Sequence, residues 1–561
     1  MQDDHRPVRQ SAMSSSRDPR VPPRHLLEPI NGRILNPATA LTIKGVKPRA
    51  TVYVGPRLLV TRGPRDEATI TALEREADAL GWHATVSKAR TVLRGPKEDV
   101  ADIVWEAVRR NDSGNYFDES ETTSMVRLDL VVKDKEATNA PDGWVLLQRV
   151  RAQSPDLADL RHAGLEHVVA VRSITPDPFE DPHPFEDPHP FEDPHPFEDP
   201  HPFEDPHPFS GGSSAVASYA RPGSGGRQPV AYVGPQPLRR PSVKGRRPVV
   251  ATLDTGCGEH PWLDGVVRTD VKLGTQPIGY IDDATDPEKW FDQFGALDGA
   301  IDPLAGHGTF IAGLIHQACP DADIVAWRIV GADGLVVESN LVKALEDIAE
   351  LARRHRDGEA GGHPIDVLSL SLGYYHETPD DELFDPTMYD ILRRLGECGV
   401  AVVCSAGNDA TARPVFPAAF TPWLDDAGTV HAEHDVVPIA SVGALNPNRT
   451  TDALFSNTGT WVRTYARGAA VMSTIPPTFQ GGFNAMASTE AFRRRRASID
   501  PDDYSSGFAL WSGTSFSTPF FAGLLARRLL DTIDPTDDGR AAAVDRTWTA
   551  IAALTTLERP A

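Results

Sequence analysis

Apolar positions along this chain follow two different rhythms, and the change of rhythm marks its organisation. From about 31 to 175 they fall in short stretches of mixed period. Residues 51–61 are strand-like. Ile70, Leu73, Ala77 and Leu80 share one helical face, and Val100, Ile103, Val104, Ala107 and Val108 make a second such stripe. Val126, Leu128, Leu130 and Val132 alternate at period two, the mark of a half-buried strand. The stretches at 143–152 and 167–172 read as two more strands around a short helix. Together these predict a small N-terminal α/β (α+β) domain over 31–175.

From about 246 the apolar runs become continuous, at 248–253, 324–327, 367–370 and 400–404, and helical stretches separate them. Unbroken apolar strands alternating with helices are what a parallel sheet covered on both faces requires. The domain at 246–561 is therefore predicted as α/β. Residues 1–30 are polar and Pro-rich without periodicity, and read as disordered.

Between the two domains the pattern is punctuation. Five copies of Phe-Glu-Asp-Pro-His-Pro run from Phe179 to Pro208, and a Gly/Ser-rich stretch follows at 210–226. Prolines at alternating spacings of two and four exclude helix and ladder pairing. Extended polyproline-like geometry at about 3.1 Å per residue makes this repeat a spacer roughly 90 Å long. Its histidines (His183, His189, His195, His201, His207) cannot converge on one metal ion from an extended strand, so residues 176–245 are assigned to a linker.

Composition narrows the function. At 561 residues the chain has room for two or three domains. Its formal charge is −23, and the repeat accounts for ten of those charges, leaving −13 elsewhere. That balance argues against nucleic acid or anionic membrane as partners. Four cysteines, Cys257, Cys319, Cys398 and Cys404, are too few for a disulfide scaffold. Residues 1–29 lack the apolar core of a secretory signal, and no run of about 18 apolar residues suggests a membrane span. The expected location is cytoplasmic, with secretion as the alternative.

Three short motifs supply an acid, a base and a nucleophile in the order Asp, His, Ser. Asp254 follows the apolar run at 248–253 and precedes Thr255-Gly256, at the carboxyl end of a strand where open α/β sheets place their sites. Asp-Thr-Gly is also the aspartic peptidase signature, but that chemistry needs two such carboxylates and only one occurs here. His307 sits in Gly-His-Gly-Thr and opens a helix with Phe310, Ile311, Leu314 and Ile315 on its apolar face; Gly306 and Gly308 leave room around the imidazole. Ser515, in Gly-Thr-Ser-Phe-Ser-Thr-Pro, begins an apolar helix whose first turn tolerates Pro519. An N-cap is its ordinary reading; as a nucleophile it gains from the helix's free N–H groups. A hydroxyl becomes a useful nucleophile only when a base takes its proton, and the base needs a partner to fix its tautomer. Asn408, at the end of Ser-Ala-Gly-Asn, offers a side-chain amide to a developing oxyanion.

These residues resemble the subtilisin-like (S8, subtilase) peptidases over roughly 246–561, and the Asp, His, Ser order is that family's. The resemblance implies a three-layer α/β/α subtilisin-like sheet and a serine endopeptidase working through an acyl-enzyme on protein or peptide substrates. It also implies that Ser371, Leu372 and Gly373 line the cleft and pair with an extended peptide. Phe416-Pro417-Ala418 resembles the family's Tyr-Pro-Ala turn, and by the same match Val415 helps floor the pocket for the residue before the scissile bond. A catalytically idle fold used as a scaffold is the alternative.

Several departures bear on this. The nucleophile motif reads Ser-Phe-Ser-Thr-Pro where the family commonly has Ser-Met-Ala-x-Pro. Cys257 lies three residues after Asp254 and is expected to confer partial sensitivity to thiol reagents. The connection at 316–323 is short for the family's calcium loop; no cofactor is expected to be required, and a structural calcium is left open without a clear motif to support it. The insertion at 480–508 carries four consecutive arginines, Arg493 to Arg496. Residues 157–173 resemble the end of a prodomain, which in this family inhibits through its C-terminal strand. That implies docking of the N-terminal domain on the cleft; a recruiting module is the other reading.

Overall fold

The structure, a computed structural model, describes residues 20–86, 124–133, 139–154, 160, 162–171, 216–295, 299–378, 387–423 and 431–560. The helical stripe at 100–108, the hexapeptide repeat and the helical part of 157–161 lie largely outside these residues.

The N-terminal sheet contains β1 (Gly32–Leu35), β2 (Thr51–Thr61), β3 (Trp82–Val86), β4 (Met125–Val132) and β5 (Ala163–Val171), with helices α1 (Asp66–Ala79) and α2 (Gly143–Gln153). All its pairings are antiparallel, in the order β5-β2-β4-β3, with β1 against β2. Alternation holds in β4 for Val126, Leu128 and Leu130, which are buried, but Val132 at the strand's end is exposed.

The stretch at 143–152 corrects the sequence reading: it is helix, not strand. Asp142 caps it by accepting from the Val145 N–H at 3.2 Å. Leu146, Leu147 and Val150 then turn onto one face against Leu58 and Leu165 in a common core. An apolar stretch of this length lacks a period-two signal, and the Asp-Gly start is the sign of a helix.

The second unit holds a seven-stranded sheet, parallel throughout. Its strands are β6 (Val249–Asp254), β7 (Val267–Arg268), β8 (Asp323–Arg328), β10 (Val367–Leu370), β12 (Ala401–Ser405), β13 (Ala440–Leu445) and β14 (Thr464–Arg467). The order is β14-β13-β12-β10-β6-β8-β7. Successive residues point to opposite faces, so each continuous run feeds two cores. Val250, Ile324, Val367, Ala401 and Val403 face α3 (His307–Ala318) and α6 (Thr514–Leu529). Val249, Ala251, Leu253, Leu368 and Val402 face α4 (Glu338–Arg356) and α5 (Thr387–Glu397). This is the three-layer α/β/α arrangement.

Two short edge segments, β9 (Leu335–Val337) and β11 (Leu372–Gly373), do not join that sheet. Both pair antiparallel with the end of β5: Leu335 and Gly373 each lie opposite Ala170, and Leu372 lies opposite Val171. The N-terminal sheet thus runs on into the α/β unit, with the last residues of β5 between β9 and β11.

Residues 216–248, read as linker in part, lie against the α/β unit. Arg227 donates to the carbonyls of Ile301 and Asp302, and Arg246 pairs with Asp366 and Asp538. The insertion at 480–508 holds a hairpin, β15 (Ser488–Ala491) and β16 (Arg494–Ala497), with its arginines exposed. Among the described residues no helix is long and apolar enough to cross a membrane.

Candidate active site

Asp254 is the last residue of β6, and the sheet's register sets it opposite Arg328 of β8. Its Oδ1 accepts from the Thr255 N–H at 2.8 Å and from His307 Nδ1 at 2.6 Å. A carboxylate only accepts, so Nδ1 is the N–H end of the imidazole and Nε2 carries the lone pair. Nε2 is buried and, among the described residues, has no hydrogen-bond partner. The ring is held by Phe516 at 5.2 Å and, edge-on, by Trp511 at 5.6 Å.

The glycines flanking His307 serve the backbone rather than the ring. Gly306 caps α3 at φ 78°, a left-handed conformation that favours glycine. A side chain on Gly308 would collide with the Gly256 carbonyl. That close approach brings the end of β6 onto the start of α3, and so brings carboxylate to imidazole.

Ser515 is the second residue of α6 and not its cap, a position Gly513 holds. Its hydroxyl donates to the Ser371 carbonyl at 3.4 Å, and the Ser371 hydroxyl donates to the Ser515 carbonyl at 3.0 Å. Phe516 places this turn beside His307. Asn408 sits just beyond β12, where its Oδ1 accepts from both the N–H and the hydroxyl of Thr514, each at 2.8 Å. Those bonds fix the sense of the carboxamide: its oxygen is committed to accepting, and its nitrogen is the end with hydrogens to give. Asp254, His307, Asn408 and Ser515 are all buried.

The residues expected to line a cleft also gather here. Leu372 and Gly373 form β11 and pair with β5, while Ser371 bonds to the nucleophile's turn. Val415 is buried against Gly373, and the Phe416-Pro417 bond that follows is cis.

Glu288 is a site residue that the sequence does not announce. It is buried, accepts from the Thr255 hydroxyl at 2.5 Å and from the Gly308 N–H at 2.9 Å, and also bonds to the Thr309 hydroxyl. It therefore caps α3 from outside the helix while gripping the residue that holds Asp254. Burial pushes its pKa up to about 7, against the bonds from Thr255 and Thr309. It lies in an irregular Asp-Pro-Glu-Lys loop, where spacing gives no signal. Burial, and then Glu288, push the Cys257 thiol well above its usual range. The expected sensitivity of Cys257 to thiol reagents loses its basis, because the thiolate is the reactive form.

A second charged cluster lies further along β5. His167, His376 and Glu377 are buried, with one ligand atom from each within 4.8 Å of the others, a set that could hold a metal ion. His167 Nδ1 is 2.7 Å from Glu338 Oε2, and Nε2 is 2.8 Å from Glu377 Oε2.

A model of the subtilase family matches residues 245–534, just over half of the chain. Serine protease AprX of Bacillus subtilis (strain 168) is 24% identical over 302 residues, which cover 53% of this chain and 60% of that protein. An intracellular serine protease of Paenibacillus polymyxa is 25% identical, over 52% of this chain and 71% of its own length. An extracellular protease of Xanthomonas campestris pv. campestris is also 25% identical, over 51% of this chain and 44% of that protein.

Proposed function

This chain belongs to the subtilase family, and on that footing we propose that it is a serine endopeptidase acting on protein or peptide substrates. The observation that carries the reading is the buried 2.6 Å bond between Asp254 and His307 Nδ1, which leaves Nε2 as a base beside the turn that bears Ser515. In the reaction the Ser515 hydroxyl turns from the Ser371 carbonyl to Nε2, gives up its proton and attacks the scissile carbonyl. Asp254 supports the imidazolium. The Asn408 amide and the Ser515 backbone N–H receive the oxyanion, His307 then protonates the leaving amine, and water releases the acyl group by the reverse path.

The N-terminal unit is read as an inhibitor in place. The support is the position of β5, which pairs with Leu372 and Gly373, two of the three residues expected to offer their edge to a substrate. Chemistry therefore waits on departure of that strand.

A fluorophosphonate probe tests this. Labelling of the trimmed or slowly opening full-length chain, absent in Ser515→Ala, is the expected result. No labelling in either form would overturn it. N-terminal sequencing of the purified protein locates any processing site.

A further inference from the structure

The cleft between β9 and β11 contains a concentration of charge that catalysis leaves unused. Glu338, the first residue of α4, directly follows β9, and Glu377 lies four residues beyond Gly373 of β11. Both are carried by the α/β unit, and both are buried. Between them sits His167 of β5, also buried. Its two ring nitrogens reach one carboxylate each, and its backbone N–H donates to Glu338 Oε2 at 3.1 Å. Carboxylates accept and do not donate, so both nitrogens bring protons and the ring is an imidazolium.

The surroundings agree with that charge. The Tyr374 ring stacks on His167 at 4.5 Å. The His376 ring lies 5.0 Å away, but its Nδ1 accepts the Thr378 N–H and burial holds its pKa near about 3, so it is neutral. Among the described residues, Arg151 of α2 and Arg413 also act on this cluster, and the Arg413 guanidinium donates to the His376 carbonyl. Glu377 is held well below the usual carboxylate range: burial raises it, and this is more than offset by His376, which carries charge only at the acid pH where Glu377 itself titrates, and by His167. The Tyr53 phenol, raised by burial and by Asp142, stays neutral.

Resting on the peptidase reading, we propose that Glu338 and Glu377 form an acidic subsite of the cleft that selects a cationic side chain, and that His167 is the occupant the chain itself supplies. The selected position lies four residues on the N-terminal side of the one opposite Leu372, as His167 does from Val171. A neutral side chain there leaves two buried carboxylates facing each other without a counter-charge. Truncating one partner of such a buried pair corresponds to about 10²–10⁴-fold weaker docking.

The test is hydrogen–deuterium exchange of the β5 amides in the full chain at pH 7, in a Ser515→Ala background. Wild type and His167→Lys are expected to protect β5 equally, and His167→Gln to lose about 10²-fold in protection. Glu338→Gln combined with Glu377→Gln removes the preference among the three. Equal protection in the Gln and Lys chains, or protection stripped by a chelator, would each overturn the proposal. Should the Gln chain not fold, the chelator arm on wild type and the comparison of wild type and His167→Lys with and without the two Glu→Gln changes decide it. Fluorophosphonate labelling of the chains that keep Ser515 separates the two readings. Charge-dependent opening of β5 with no labelling in any chain sinks the peptidase and leaves the subsite; labelling indifferent to residue 167 sinks the subsite and leaves the peptidase.

Discussion

Replacing Glu288 by Gln isolates the charge that supports the candidate base. Glu288 is 2% exposed, and burial lifts its pKa from 4.5 to about 7. A carboxyl with a raised folded pKa binds more protons folded than unfolded between those values, so it destabilises the fold as pH rises through them. Between pH 5 and pH 8 this one group removes about 2.5 kcal/mol, since each pH unit crossed between the two values costs about 1.4 kcal/mol. Gln does not titrate, but its amide nitrogen cannot accept from the Thr309 hydroxyl, which already accepts the Gly258 N–H at 2.7 Å. Losing that bond costs about 1–2 kcal/mol at every pH. The variant is thus expected to be less stable than the parent at pH 5 and more stable at pH 8, with the curves crossing between. Urea unfolding followed by tryptophan fluorescence in a Ser515→Ala background measures this without self-digestion. Stability curves that stay parallel from pH 5 to 8 would refute the account of Glu288 as a buried, partly protonated carboxyl.

Three further outcomes are expected. Asn408→Ala should lower kcat by about 10²–10³ with little change in KM, a magnitude that comes from subtilisin; steady-state kinetics on a peptide ester checks it. Iodoacetamide at pH 8 should leave the intact mass of the native protein unchanged, because burial raises Cys257, Cys319, Cys398 and Cys404 alike. Asp366→Asn should cost about 3–5 kcal/mol in denaturant unfolding. That carboxylate is buried, takes both Arg246 nitrogens at 2.6 and 2.8 Å and Arg356 at 3.0 Å, and accepts the Val249 N–H at the start of β6.

The candidate triad is legible because its residues sit in small-residue motifs at element ends, where strand and helix signals are strong. The continuous runs at 248–253 and 367–370 likewise mark buried parallel strands, since each must feed cores on both faces. Residues 143–152 mislead because an apolar run without clear alternation suits either element, and only the Asp142 cap decides between them. The role of Gly308 is legible only as small size; its close approach to Gly256 is a tertiary fact. Glu288 and the His167, Glu338, Glu377 group are invisible for a related reason. Their contacts join residues far apart in sequence, up to 210 positions for His167 and Glu377, and no local period encodes such a meeting.

Ala170 is paired on both edges, to Leu335 on one side and Gly373 on the other. The slot that holds it is therefore two ladder spacings across, about 9.6 Å between flanking backbones. A helix with its side chains is about 10–12 Å wide and does not fit. On the proposed peptidase reading, whatever follows β5 into that slot must arrive as a single drawn-out thread, so intact folded targets would yield only at tails, loose loops or locally melted stretches.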